Sequence, residues 1–319
     1  MLTSNVRILA LAAVTALFCA LPARAEYLFV ADSGNNTIHE FSPTGADLGT
    51  FASTGVTLTT GVAFNTSGDL FATNNLDDTI EEFSPTGADL GTFTSAGLSG
   101  PSSLAFNNAG DLFVASYFGN TIQELSPTGA DLGTFTSTGV DNPTSLAFNT
   151  SGDLFVANFG TNTIEEFSPT GADLGTFAST GLDGVEGLAF NTGGDLFASN
   201  IYNNTIEEYS PTGADLGTFA STGLNSPIGL AFNTGGDLFA ANRNNNTIEQ
   251  FSPTGADLGT FASTGLSTPY DLAFSPAAVP EPSSLVSLGV MFALTVCALL
   301  LRLRRKIRGS EPASSVDCG

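Results

Sequence analysis

An all-β fold, a six-bladed β-propeller, is predicted by three features of this sequence. The phrase Phe41-Ser42-Pro43-Thr44-Gly45-Ala46-Asp47-Leu48-Gly49-Thr50-Phe51 returns every 42 residues without insertion, its first residue falling at Phe83, Leu125, Phe167, Tyr209 and Phe251. A fixed period in this range marks stacked units or a ring of blades. Within each period, short apolar runs alternate with turns rich in Gly, Asn and Pro, as four antiparallel strands would. Helical repeats would instead need long 3.6-periodic runs free of recurrent Gly and Pro. Finally, the two ends of the array complement each other. The first unit opens at Tyr27-Leu28-Phe29-Val30-Ala31 without the strand that begins every other unit, and Asp271-Leu272-Ala273-Phe274 stands alone at the far end. Paired, they close the ring and remove its free edge, whereas a solenoid would carry distinct caps.

The elements follow in chain order. Residues 1–25 form a secretory signal: Arg7 gives the positive start, Ile8 to Leu21 the apolar run, and Ala23-Arg24-Ala25 a small-x-small cleavage site before Glu26. Cys19 follows the bulky Phe18, which does not suit a lipid-attachment motif. The propeller occupies residues 26–278. Residues 102–139 show its unit. Ser103 to Phe106 is strand A, and Asn107 to Asp111 is a tight turn with Gly110 supplying positive φ. Leu112 to Ala115 is strand B, apolar on both faces. Thr121 to Leu125 is strand C, alternating polar and apolar. Ser126-Pro127-Thr128-Gly129 is a β-turn, and Asp131 to Thr136 is the polar strand D.

After the propeller, Leu285 to Leu301 is a second apolar run, 17 residues long. At ~1.5 Å per residue it reaches ~26 Å, enough for a short transmembrane helix. Arg302, Arg304, Arg305, Lys306 and Arg308 follow, and such a cluster stays cytoplasmic. The propeller is therefore expected outside the cytoplasm. Val279-Pro280-Glu281-Pro282 stands just before the helix, and residues 309–319 form a polar tail. The order Pro-Glu-Pro, apolar helix, basic cluster over residues 279–308 resembles the PEP-CTERM sorting signal. That resemblance implies processing by an exosortase-type enzyme, export to the outer surface or matrix of a Gram-negative bacterium, and a link to exopolysaccharide. The polar tail departs from the pattern, in which the chain usually ends soon after the basic cluster.

Composition narrows the function. The propeller segment holds 28 of the 31 acidic residues and one base, Arg243, a net charge of −27. Nucleic acid is excluded as a partner, because phosphate binding needs clustered Lys and Arg; cations are attracted instead. The three cysteines, Cys19, Cys297 and Cys318, all lie outside this segment, so it has no thiol nucleophile, thiolate metal site or disulfide.

The recurring run Gly-Leu-Ala-Phe-Asn, then Gly-Asp-Leu-Phe with Ala-Asn, then Asn-Thr-Ile-Glu-Glu-Phe resembles the NHL-type and gluconolactonase-like six-bladed propellers. Trp is absent, and with it the WD-type signature. The six copies differ mainly in the B–C and D–A loops, which an antiparallel blade presents on one side. Tyr117, Phe118, Phe159, Tyr202, Arg243 and Tyr270 are thereby expected around one mouth, with Asp32, Asp183, Glu186 and Asp271. Aromatic rings beside amides, acids and one Arg suit a saccharide: rings cover its apolar faces and polar groups bind its hydroxyls. No cofactor is required for such binding. The gluconolactonase-like resemblance implies a divalent cation such as calcium at the channel, to which Glu186 or Asp271 would offer a carboxylate and Asn158, Asn200 or Asn242 a carbonyl oxygen. Catalysis on that pattern needs fixed ligands and a general base. The single His39 falls in an outer strand, the segment has no Lys, and the lyases of this architecture require a His. The expected function is an exported, membrane-tethered, non-catalytic binding or scaffold propeller that takes a polysaccharide or surface protein. The alternative is a cation-dependent lactonase-like hydrolase.

Overall fold

The computed structural model describes residues 26–276, and these form six four-stranded antiparallel sheets with no helix among them. The expected signal segment, sorting motif, apolar helix and tail lie outside the described residues. In the third blade the strands are Pro101–Phe106, Leu112–Ser116, Thr121–Leu125 and Asp131–Thr136, running from A to D in spatial order. Strand A starts two residues earlier than the sequence suggests. Strands C and D have the expected limits.

Burial falls outward along each blade. All five residues of every strand B are buried, strand C is buried at three of its five positions, and strand D is exposed or half-buried until its last residue. Period-2 side-chain alternation places these faces against the neighbouring blades. The blade seams are built on phenylalanine. Phe239 meets Phe261 of its own blade at 4.9 Å and Phe274 of the next blade at 5.0 Å, both edge-on. The same arrangement surrounds Phe29, Phe71, Phe113, Phe155 and Phe197. Edge-to-face pairs are worth roughly 0.5–1.5 kcal/mol each beyond their burial, so this stack repeats around the ring as a specific adhesive.

Closure occurs as expected. The last strand, Pro269–Phe274, pairs antiparallel with Leu28–Asp32, matching Leu28 to Phe274 and Val30 to Leu272. Backbone bonds continue past the ladder, with the Ser275 N–H donating to the Tyr27 carbonyl at 2.9 Å. The first blade is thus made from both ends of the described chain.

The B–C loops lock each blade to the next. Their last residues, Asn36, Asp78, Asn120, Asn162, Asn204 and Asn246, all have φ between 51° and 59°, a left-handed conformation that Asn and Asp tolerate best among non-glycines. Each side-chain oxygen then accepts a backbone N–H from the following D–A loop; Asn204 takes that of Ser226 and Asn246 that of Thr268.

Candidate functional site

The axis is lined by the inner strands, and one irregularity aims their side chains into it. In the fifth blade the A–B ladder pairs Val185 with Asn200 and resumes at Leu188 with Ala198, so Glu186 and Gly187 bulge from it. In the first blade Ala31 faces Asp271 and Asp32 faces Pro269, which leaves Tyr270 unopposed. A bulge re-aims a side chain. Glu186, Tyr270 and Asp271 accordingly line one void, together with Thr60, Ser103, Thr144 and Ser145 from other blades. At about 10 Å³ it has room for one water and no more. A larger ligand must therefore sit above it, on the mouth.

Positions 42 residues apart explain what is special here. The first bulged position reads Thr60, Ser102, Thr144, Glu186, Ile228 and Tyr270. The three hydroxyls donate to the carbonyls of Pro101, Pro143 and Val185 in the next blade, at 3.2, 2.6 and 3.3 Å. Glu186 breaks this chain. It is 8% exposed and its Oε2 has no hydrogen-bond partner among the described residues. Burial lifts its carboxyl to about 8, with nearby Arg243 pulling partly the other way. Asp271 accepts the Val62 N–H at 2.9 Å, and burial raises it to about 6. The Tyr270 hydroxyl is pushed up by burial and then by Glu186; that of Tyr117 is raised by burial, then Glu186 and Tyr202. Glu186 thus lies close enough to Tyr117, Arg243 and Tyr270 for charge on one to act on the other, and Tyr202 acts on Tyr117.

Around this centre the expected aromatics are present at different depths. Phe118 is 68% and Tyr202 64% exposed. Each ring lies over a D–A loop glycine, Gly100 and Gly184, where a Cβ would collide with it. Tyr117 packs edge-on to Phe118 at 5.2 Å, and Phe159 is 5.9 Å from Tyr202. Tyr117, Phe159 and Tyr270 are half-buried, and Arg243 is exposed. Two expectations are corrected in detail. Glu186 and Tyr270 belong to inner strands, where the bulge aims them at the axis, and not to loops. Asp32 is no part of the open mouth: it is fully buried, both its oxygens accept the Ser267 N–H, and it also takes Asn35 Nδ2.

The asparagines at the ends of strand B serve their own blades. Asn158 Oδ1 accepts the Asp141 N–H at 3.0 Å while its Nδ2 donates to the Gly139 carbonyl at 2.7 Å. Asn200 binds Asp183 and Gly181 in the same way, and Asn242 binds Asn225 and Gly223. All three are buried. Their carbonyl oxygens, the atoms a channel cation would use, are already paired with backbone amides. His39 lies in strand C of the first blade, 3.9 Å from Asp47 at the rim.

No family model matches this chain, and no curated protein does. Solved structures do. A chain of the nidogen/laminin complex superposes with a TM-score of 0.72 at 17% identity, over 80% of this chain and 100% of that one. A protein of unknown function from Bacteroides caccae gives 0.64 at 16% identity, over 79% and 99%. Virginiamycin B lyase from Staphylococcus aureus gives 0.58 at 18% identity, over 74% and 84%. The likeness shows a shared fold.

Proposed function

We propose that this chain is an exported, non-catalytic recognition propeller of the cell surface or extracellular matrix, which holds a saccharide of the surrounding exopolysaccharide on its axial mouth. One observation carries the reading. Six blades that are near-copies of one another differ chiefly at one place, and the side chains that differ, Tyr117, Glu186, Tyr202, Arg243 and Tyr270, converge there. The exposed rings of Phe118 and Tyr202 and the half-buried rings of Tyr117 and Tyr270 offer stacking faces, and Arg243 is the single cation for an acidic or hydroxylated group. Glu186, neutral below about pH 8, adds a hydroxyl donor beside it. The tail is proposed to tether the chain to the membrane until an exosortase-type enzyme processes it. A surface-protein partner is supported by the nidogen/laminin complex, in which a chain of the same fold occurs.

The test is calorimetric titration of acidic and neutral polysaccharides against three proteins. The parent should bind. The Tyr117→Ala, Tyr202→Ala, Tyr270→Ala triple variant should lose affinity, by about 1–2 kcal/mol for each ring that stacks. Thr128→Ala, on the opposite and monotonous side, should bind like the parent. Equal affinity in all three would assign the mouth's variation to drift and leave a purely structural matrix component. The hydrolase alternative is favoured by one feature, the presence of Glu186 and Asp271 on the same void. Calcium-dependent opening of any member of a lactone panel, lost in Asp271→Asn, would establish it.

A further inference from the structure

Two aromatic side chains at the mouth are seated with a regularity that drift does not explain. The second residue after strand B reads Gly34, Leu76, Phe118, Gly160, Tyr202 and Asn244 around the ring. The matching D–A loop residue reads, in the same order, Thr268, Leu58, Gly100, Asn142, Gly184 and Ser226. A ring stands at the first position in two blades, and in those two blades alone the second position is glycine. All six loop residues are left-handed, with φ between 45° and 69°, and four of them adopt that conformation with a side chain. The backbone therefore does not by itself demand glycine at 100 and 184. The rings do. A Cβ on Gly184 would lie 2.6 Å from Tyr202 Cδ2, and one on Gly100 would collide with Phe118 in the same way. Both glycines are buried.

A ring laid on a glycine has one face held and the other open. Phe118 stays 68% and Tyr202 64% exposed, and aromatic surface left in water adds little to the fold. Neighbouring rings fix each platform: Tyr117 is 5.2 Å from Phe118, and Phe159 of the fourth blade is 5.9 Å from Tyr202. Between the platforms the fourth blade offers no ring at its loop tip. It has the exposed Gly160, with the Asp141 carboxylate where a Cβ would be. Asp183, also exposed, precedes Gly184. Each platform thus adjoins a loop that carries a carboxylate. A flat ring for the apolar face of a pyranose, with oxygens nearby for its hydroxyls, is saccharide chemistry. A protein partner would want contiguous apolar surface, which Gly160 and Asp141 interrupt. Charge narrows the saccharide. The propeller segment carries −27 with Arg243 its one base, so a polymer with an acid on every unit is repelled.

We propose that Phe118 and Tyr202 are two stacking subsites of one site, and that its ligand is an internal stretch of a neutral or sparsely acidic polysaccharide laid across the fourth blade. The ligand class rests on the saccharide reading of the mouth; what is added is that the ligand is a chain, and which two rings hold it.

The full-length chain, purified in a detergent without sugar head groups, is titrated calorimetrically with size-sorted fragments of cellulose, dextran and alginate, one to six units long. Affinity for a neutral series should rise about tenfold or more between the single unit and the length that reaches both rings, then level off, because the second subsite is filled within the same molecule. Phe118→Ala and Tyr202→Ala should each abolish that rise while leaving single units within about twofold of the parent. Gly184→Asn keeps the ring and unseats it, using the residue that Asn142 already holds in this conformation; it should lose the rise too. Leu76→Ala, at the same place in the second blade with no glycine beneath it, should match the parent. Alginate, acidic at every unit, should bind more weakly than the neutral series at low salt. A parent insensitive to length, a rise that survives both ring variants, or equal loss in Leu76→Ala overturns the two-subsite proposal and leaves a single-unit site at the mouth standing. Alginate bound as tightly as the neutral chains overturns the charge assignment. Binding of no fragment at all overturns the saccharide reading with it.

Discussion

At the scale of single residues, burial of carboxyl groups decides how the protein responds to pH. Glu186 titrates at about 8 in the folded chain against an ordinary 4.5. Between those values the native state holds a proton that the unfolded state releases. Stability is therefore greatest at the acid end of the window and falls as pH rises through it. Asp271, raised to about 6, acts in the same sense over a lower range. The melting temperature should be higher at pH 5.5 than at pH 8.5, and Glu186→Gln should flatten that difference; a parent that melts higher at pH 8.5 would refute the assignment. The buried asparagines act differently, through geometry. Asn200→Ala would strand the Asp183 N–H and the Gly181 carbonyl, at a cost of about 1–3 kcal/mol, readable as a lower midpoint in chemical denaturation with an unchanged slope.

At the scale of elements, the closing strand is the decisive part. Deleting Pro269 to Ser275 leaves Leu28–Asp32 without its inner neighbour and exposes the edge of a fully buried, mostly apolar strand. Aggregation should follow, visible as loss of the monomer peak in size exclusion; a truncated chain that melts like the parent would show closure to be dispensable. This strand was legible in the sequence because an orphan at one end and a gap at the other are facts of pattern. Strands B, C and D were legible for the same reason, since alternation and turn chemistry repeat. The bulge in strand A was not. It depends on how six inner strands crowd the axis, which no local pattern records, so Glu186 and Tyr270 read as loop residues. The asparagines after strand B were open to two uses, and only the position of the D–A loop decides between them.

At the scale of the molecule, charge and topology agree. A net charge of −27 over the propeller segment repels itself, so monovalent salt should raise the melting temperature by screening. The proposed export route makes its own expectations. A reporter fused after Gly309 should be active in the cytoplasm, and activity only in the periplasm would reverse the orientation. Changing Pro280-Glu281-Pro282 to Ala should block tail processing in a host with an exosortase, and an unchanged mature size would count against the sorting motif.

The three-ring phenylalanine stack at each seam is the same at every position, and that sameness has a cost. An interface that is identical all round carries no address. A blade joins correctly to any copy of itself, including one from another chain, and the closing strand can complete a stranger's first blade as well as its own. What keeps the ring private is proximity along one chain: the local concentration of its own end exceeds that of a neighbour's. Refolded when dilute, the chain should close on itself. Refolded when crowded, it should trade closing strands and yield dimers and longer chains of rings that, once diluted, come apart only as fast as the blades unfold.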